Sequence, residues 1–181
     1  MKERNGVLKI EETKRIGATY NGAMLTLYVP AETVFEKIEI KTGAGRVSVD
    51  TLTADYLNLE LGAGEVKINS LTANKSADID GGAGKITIAG GKLHDLDLDM
   101  GVGQFDLTAA VQGNSEFDLG IGESNIALLG DRSDYTIDAE KGIGDMTVDG
   151  ERVSGRIGSG ANRIEISGGI GAIRLKFVEE W

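Results

Sequence analysis

The feature that most constrains this sequence is a pair of glycines, Gly-x-Gly, that recurs at a nearly constant spacing. Successive copies begin 19, 20, 19, 19, 22 and 27 residues apart. A fixed period of this length indicates a repeat architecture in which each copy is one structural unit. The copies are Gly43/Gly45, Gly62/Gly64, Gly82/Gly84, Gly101/Gly103, Gly120/Gly122, Gly142/Gly144 and Gly169/Gly171.

Apolar and polar residues alternate on both sides of each Gly-x-Gly. Val47 and Val49 follow the first copy, and Leu57, Leu59 and Leu61 precede the second. This alternation is typical of strands with one buried face. About twenty residues are too few for a helical crossover between parallel strands, but they suffice for one coil. We therefore predict an all-β fold, a single-stranded parallel β-solenoid (β-helix) of about seven coils of 19–22 residues.

The repeats also suggest how the chain is divided. We expect an N-terminal cap and entry strands in residues 1–37, the β-solenoid in residues 38–177 and a C-terminal tail in residues 178–181. A further Gly-x-Gly, at residues 158–160, falls inside the longest interval and is interpreted as part of an inserted loop, residues 151–162.

Solenoid ends need covering because they expose strand edges and core. Leu25, Leu27 and Val29 alternate and predict a strand over the first coil. Phe177, Val178 and Trp181 are candidates to cover the last one. The end coils are also candidate stacking sites for a homodimer.

One repeat departs from the apolar pattern. Ser124 stands where the other copies have an apolar residue such as Val, Ile or Phe. We expect a register slip or bulge there, because Ile126 and Leu128 would then take the apolar positions. The alternative is a buried hydroxyl bonded to backbone.

The repeated phrases resemble a known family. Gly-Ala-Gly-x-Val-x-Val and Leu-Thr-Ala-x-x-Leu-x-Leu, with the lead-in LTLYVPAETVFEKIEIKTGAG and the closing GGIGAIRLKF, are similar to bacterial adhesin-like domains of unknown function, of the DUF4097 and DUF2807 type. The resemblance covers residues 25–177. It implies a right-handed β-helix carried by cell-envelope proteins outside the cytoplasm. That family has no established catalytic residues, so the resemblance assigns none here.

Charge is concentrated in the repeats. The net charge is −10, and residues 47–150 carry 19 acidic and 6 basic side chains. Residues two and four positions before each Gly-x-Gly alternate with apolar ones, so we expect them to point outward in two columns. Lys41 and Ser167 would bound the first column. Together with Asp95, the predicted face for cations or basic ligands consists of Glu60, Asp78, Asp80, Asp95, Asp97, Asp99, Glu116, Asp118, Asp138 and Glu140.

Uncompensated carboxylates on neighbouring strands repel one another, which favours a positive ligand such as a basic peptide, a polycation or Ca²⁺ held between coils. The competing interpretation is a solvated face that prevents strand stacking. The opposite flank mixes charges, and Arg46, Glu65 and Lys85 predict a salt-bridge ladder there. Nucleic acid is not an expected partner, because its phosphates would be repelled.

The residue inventory favours a non-enzymatic protein that needs no cofactor. His94 is the single histidine, and cysteine is absent, so neither a cysteine nucleophile nor a histidine cluster for a metal is available. The alternative is a carbohydrate-active β-helix, a polysaccharide hydrolase or lyase, using paired carboxylates. No apolar run has the length of a membrane-spanning helix, and residues 1–9 do not resemble a signal peptide.

Overall fold

Nearly all of the described chain is β-strand. The residues that the computed structural model describes are 2–4, 6–11, 24–30, 32–140 and 142–179. They fall into two compact units, residues 1–30 and residues 31–181. In the first unit, β1 (Lys2–Arg4) pairs antiparallel with β2 (Val7–Lys9). Residues 24–30 form no strand, and Leu25, Leu27 and Val29 are exposed.

The second unit is all-β, with one 3₁₀ turn, η1 (Arg132–Asp134), among its described residues. Its sheet is mostly parallel, as the period-two pattern predicts. The strands are β3 (Val34–Ile88), β4 (Gly91–His94), β5 (Leu96–Gln112), β6 (Asn114–Leu129), β7 (Tyr135–Glu140), β8 (Ile143–Val148), β9 (Glu151–Arg152), β10 (Gly155–Gly158) and β11 (Asn162–Val178).

Residues one repeat apart in the chain are neighbours in space. Ile79 pairs with Leu98, and Leu98 with Phe117, across the parallel ladders β3–β5 and β5–β6. All three are at most 1 % exposed, so equivalent positions stack into one continuous core. Burying a side chain of this size contributes roughly 1.5–3 kcal/mol, so the column of apolar positions is the main source of stability. This stacking is the solenoid arrangement that the period predicts.

The second glycine of each Gly-x-Gly has a positive φ, and from the second copy onward the coils also approach closely there. Gly103 has φ of +141°, which L-residues rarely adopt, and a Cβ on it would clash with the carbonyl oxygen of Gly84. The same relation repeats from coil to coil along this corner. The glycines therefore allow the pairing of β3 to continue for 55 residues through its corners, where Gly45, Gly64 and Gly84 have positive φ.

The order of the last coils differs from the order of the repeats in the sequence. β11 pairs parallel with β6 on one side and with β7 and β8 on the other. The final repeat is thus inserted between the two that precede it, and Gly171 lies between Gly122 and Gly144. Our expectation that successive repeats occupy successive positions is wrong at this end, because the chain passes over one position and returns to fill it.

The expected slip at Ser124 is also wrong. Ser124 pairs with Phe105 on one side and Ile173 on the other, and the flanking Gly122 stays aligned with Gly103. Ser124 is 6 % exposed, so it occupies a core position as a buried serine. Displacing this register would put a residue with a side chain in the place of Gly122, where a Cβ would clash with the carbonyl oxygen of Gly103, which explains why the strand does not slip.

Short antiparallel strands cover part of the far edge. β10 pairs antiparallel with β7, and β9 with β8. The predicted inserted loop, residues 151–162, therefore contains two edge strands.

Phe177 is not a cover for the end: it pairs with Leu128 inside the stack, and its ring centroid lies 5.5 Å from that of Tyr135. Trp181 lies outside the described residues. None of the described residues forms a helix with the length and apolarity needed to cross a bilayer.

Candidate functional site: an acidic groove beside an aliphatic ridge

The predicted acidic columns are brought together by the parallel ladders. Asp80 pairs with Asp99, and Asp99 with Asp118, in the first column. In the second column, Asp78 pairs with Asp97 and Asp97 with Glu116. Each of these residues is exposed and alternates with a buried neighbour. Neighbouring strands are about 4.8 Å apart, so the carboxylates form two parallel rows down one face.

The inserted final coil changes the far end of both rows. Ser167 lies between Asp118 and Glu140, so the expectation that it bounds the first column is wrong. In the second column, Glu165 lies between Glu116 and Asp138. Reading the columns in sequence order misplaces these residues because it assumes that successive repeats are neighbours.

Cations and amides compensate the carboxylates at the two ends of the face. Lys41 donates a hydrogen bond to Glu60, and the Asn58 amide lies 3.4 Å from Asp78. At the other end, Arg156 donates two hydrogen bonds to Asp138, at 2.8 and 3.1 Å. The Arg156 hydrogen bond is the main reason that the pKa of Asp138 is lowered.

A second arginine adds to this far end. Arg163 donates to the same Asp138 carboxylate at 2.8 Å and forms an ion pair with Glu165 at 3.0 Å. Glu60, Asp138 and Glu165 are therefore in ordinary surface ion pairs, which contribute little to stability and leave little charge for a ligand, whereas Glu140 has no such partner among the described residues.

The centre of the face lacks such partners. Within the described residues, no ion pair or hydrogen bond compensates the central carboxylates. These five residues, called the acidic patch below, are Asp80, Asp97, Asp99, Glu116 and Asp118. Like charges about 4 Å apart repel by about 1 kcal/mol in bulk water and by more where water is excluded.

The pKa of Asp99 reflects this repulsion together with partial burial. Its pKa is raised, first by partial loss of solvent around the carboxylate and then by the negative charges of Asp118, Asp97, Asp80 and Asp78. A bound cation would remove this penalty, because an opposite charge nearby favours the ionised carboxylate. The centre of the patch is thus the point at which a positive ligand gains most.

The first column lines an open groove of about 510 Å³. Its walls are Asp80, Asp99, Asp118 and Ser167, and its floor is largely glycine backbone from the corner of the coils. Met100 and Leu119 also line the groove, which is open to solvent along the row of carboxylates.

Asp95 does not extend the acidic face as predicted. It lies at a bend between β4 and β5 with φ of +45°. Its carboxylate accepts a hydrogen bond from the backbone N–H of Asn114 at 2.8 Å and lies 3.1 Å from Nδ1 of His94. Asp95 therefore holds the corner in place through its bond to Asn114, and sequence alternation failed here because it does not detect a turn residue.

The opposite flank is compensated, although differently from the prediction. Arg46 and Glu65 form the expected ion pair at 3.0 Å. Lys85 does not continue that ladder: it pairs with Asp106 at 3.0 Å, and Asn125 donates to the same carboxylate at 2.8 Å. Burial raises the pKa of Asp106, but its hydrogen bonds with Asn125 and Lys85 prevail and leave the pKa lowered.

An exposed aliphatic row beside the groove was not predicted. The middle residue of Gly-x-Gly is Ala44, Ala63 and Ala83 in the first three copies. In the later copies it is a larger aliphatic residue, and these pair in one row across the ladders. This row, called the aliphatic ridge below, consists in spatial order of Val102, Ile121, Ile170 and Ile143, which are 50, 51, 50 and 73 % exposed. The change from Ala to Val and Ile was visible in the sequence.

The described part of the chain contains no cluster of side chains suited to bind a metal ion. No group of three or more His, Cys, Asp or Glu side chains there is arranged to hold a metal ion. The carboxylates of the acidic patch lie in extended rows, one from each coil, rather than converging on one point.

One known family has the same sequence pattern as this chain. A family model described as Toastrack DUF4097 matches residues 1–176. The chain belongs to the DUF4097 family. No curated protein and no solved structure matches it. The resemblance seen in the repeats is therefore confirmed, and DUF4097 is a family whose function is unknown. The function of this DUF4097 domain is therefore inferred from the residues of its acidic patch and aliphatic ridge.

Proposed function

We propose that this DUF4097 domain is a non-enzymatic interaction module of the cell envelope whose acidic patch binds basic peptide segments. The observation that carries the proposal is the contrast along one face. At the ends, Glu60, Asp138 and Glu165 are paired with Lys41, Arg156 and Arg163, whereas the five central carboxylates, like Glu140 at the far end of the first column, are unpaired within the described residues. A face selected only for solubility would gain nothing from keeping its repulsive centre without cations.

The geometry of the patch favours a polyvalent basic segment over a single ion. The carboxylates stand in rows about 4.8 Å apart, so successive lysine or arginine side chains can each meet one coil. A single Ca²⁺ needs six to eight oxygens converging on it, which rows of this kind do not supply.

Calorimetry of the full chain at low ionic strength tests this proposal. Oligolysine is expected to bind with an affinity that falls as salt is added, since exposed charges are screened. The variant D80N/D99N/D118N should lose this binding. The matched control E65Q/E123Q/D145N removes the same number of charges from the opposite flank and should retain it. If both variants bind equally, the binding depends on net charge alone and not on the acidic patch. If the unmodified chain does not bind, the proposal is refuted. Calcium chloride, tested in parallel, is expected to give no saturable binding.

The envelope location rests on the resemblance to adhesin-like domains and on the acidic surface. We further propose that the coils wind in a right-handed sense, that they number about seven as the Gly-x-Gly copies do, and that the protein acts outside the cytoplasm. Fractionation of native cells followed by immunoblotting tests the location. Recovery from the cytoplasmic fraction alone would contradict it. A crystal structure would test the handedness and the number of coils.

One observation favours a second candidate, a polysaccharide hydrolase. Glycoside hydrolysis needs two nearby carboxylates of unequal acidity, and the pKa of Asp99 is raised beside its neighbour Asp118. Reducing-sugar release from plant and bacterial polysaccharides tests it. Activity abolished in D99N would replace the binding proposal with an enzymatic one, whereas no release would eliminate this candidate.

A further inference from the structure

The aliphatic ridge is the feature that the proposed binding of basic segments does not use. Val102, Ile121 and Ile170 are each about half exposed, and Ile143 is 73 % exposed. They come from four neighbouring coils and are the middle residues of four Gly-x-Gly corners, so they form one continuous apolar row. A contiguous exposed apolar surface of this kind marks an interaction site.

Carboxylates flank the ridge on both sides, but among the described residues only those on the groove side are unpaired. Asp99 and Asp118 stand three residues before Val102 and Ile121, on the side of the groove. Glu123 and Asp145, two residues after Ile121 and Ile143 on the other side, are paired with Arg174 at 3.5 Å and Arg152 at 3.1 Å. An anionic membrane, or a second copy presenting the same acidic patch, would bring like charges against the unpaired carboxylates on the groove side. A partner that is apolar along one row and basic along the adjoining row complements them.

The spacing of the ridge identifies the shape of that partner. Neighbouring ridge residues are about 4.8 Å apart along the stack. An α-helix lying along the stack repeats one side of its surface every 5.4 Å or so, close to this spacing. An extended strand repeats one face at about 6.8 Å, and over three coil steps it would lose register by about 6 Å, against about 2 Å for the helix.

We infer that the aliphatic ridge and the acidic patch together dock an amphipathic α-helix that carries one aliphatic and one basic side chain per turn. The aliphatic row packs on Val102, Ile121 and Ile170, and the basic row enters the groove at Asp80, Asp99 and Asp118. The helix follows the stacking axis of the coils. This inference rests on the proposed function, because it uses the same carboxylates, and it names the class of partner.

Synthetic peptides test the inference on the full chain by fluorescence anisotropy. The probe is a leucine–lysine peptide designed as an amphipathic helix. One control has the same composition scrambled to remove the helical periodicity, and another is oligolysine. The helical peptide is expected to bind about tenfold or more tightly than either, since it alone buries aliphatic groups on the ridge while placing charges in the groove.

Matched variants separate the two rows of contacts. V102A/I121A/I170A gives these corners the alanine that the chain already has at Ala44, Ala63 and Ala83, so the fold should be retained, which circular dichroism and thermal unfolding would verify. This variant should bind the helical peptide about tenfold more weakly and oligolysine as before, since only the first uses the ridge. D80N/D99N/D118N should weaken both peptides.

Each alternative result has a distinct meaning. If V102A/I121A/I170A binds the helical peptide as tightly as the unmodified chain does, the ridge is not a docking surface and the inference is wrong. If oligolysine fails to bind but the helical peptide needs both rows, the general binding of basic segments is refuted and this inference stands. Self-association or vesicle binding that depends on the ridge, with no peptide binding, would overturn the inference in favour of a dimer or a membrane.

Discussion

Ser167 pairs with Asp118 across the β11–β6 ladder, although 49 residues separate them in the chain. Ser167 also pairs with Glu140 on its other side. The strand that is last in the sequence thus fills a position between two earlier ones. This end of the stack therefore depends on contacts between residues that are far apart in the sequence.

Pairs of engineered cysteines test this order directly, since the chain has no cysteine of its own. S167C/D118C places two thiols on adjacent strands, about 4.8 Å apart at Cα, within the range of a disulfide. D118C/E140C places them two strands apart, at about 9.6 Å, which is beyond that range. Under mild oxidation, mass spectrometry should detect the intramolecular disulfide in the first variant. A disulfide in the second variant but not the first would show that the repeats stack in sequence order.

The period and the Gly-x-Gly copies were sufficient to predict stacked parallel strands, because each copy supplies the same corner and the same apolar positions. They did not predict which coil neighbours which. The corners are alike, since Gly171 lies against Gly122 as Gly144 lies against Gly171, so the Gly-x-Gly motif itself does not separate the two orders. The long interval before the last repeat was the one indication that the chain could pass over a position.

The acidic columns were predictable from alternation, but two features of the candidate site were not. Asp95 follows the alternation in sequence, yet its backbone adopts a positive φ that turns the chain. The ridge at Val102 and Ile121 falls inside the Gly-x-Gly motif, where the alternating pattern stops. Sequence periodicity thus identified residues on strands and missed residues at corners.

The glycine corner predicts an unequal response to the same substitution. Gly103→Ala would force a Cβ against the carbonyl oxygen of Gly84 and leave alanine at φ of +141°. Gly43→Ala is the matched control, since a Cβ there meets nothing within 4 Å. We expect Gly103→Ala to lower the free energy of unfolding by at least about 2 kcal/mol and Gly43→Ala to be nearly neutral. Urea unfolding followed by circular dichroism measures both. Similar losses would contradict close stacking at this corner.

The two buried serines predict opposite effects. Ser115 Oγ accepts a hydrogen bond from the backbone N–H of Leu96 at 3.0 Å, whereas no described protein group bonds the hydroxyl of Ser124. Ser115→Ala should therefore cost about 1–3 kcal/mol, because it leaves the Leu96 donor buried and unpaired. Ser124→Ala should be neutral or stabilising by up to about 1 kcal/mol. Chemical denaturation compares the two. An equal loss at Ser124 would mean that its hydroxyl is bonded.

Replacing the Asp99 carboxylate with a neutral amide should stabilise the chain in a pH-dependent way. The pKa of Asp99 in the folded chain lies above its ordinary value of 3.8, so its ionised form disfavours folding at neutral pH. Asp99→Asn should therefore raise the melting temperature at pH 7, and the gain should vanish as the pH falls through the raised pKa towards 3.8. Added salt should reduce the gain at pH 7, because it screens the neighbouring carboxylates.

Asp106 on the opposite flank is the control, because its replacement should change the melting temperature in the opposite direction. Its pKa lies below 3.8, since its hydrogen bonds outweigh burial, so its ionised form favours folding. Asp106→Asn should lower the melting temperature at pH 7, and this loss should disappear only as the pH falls through the lowered pKa. Thermal unfolding of both variants between pH 3 and 7 is the measurement. If Asp99→Asn destabilises the chain at pH 7 as Asp106→Asn does, the carboxylates of the acidic patch do not repel one another, and the main support for a positively charged ligand is lost.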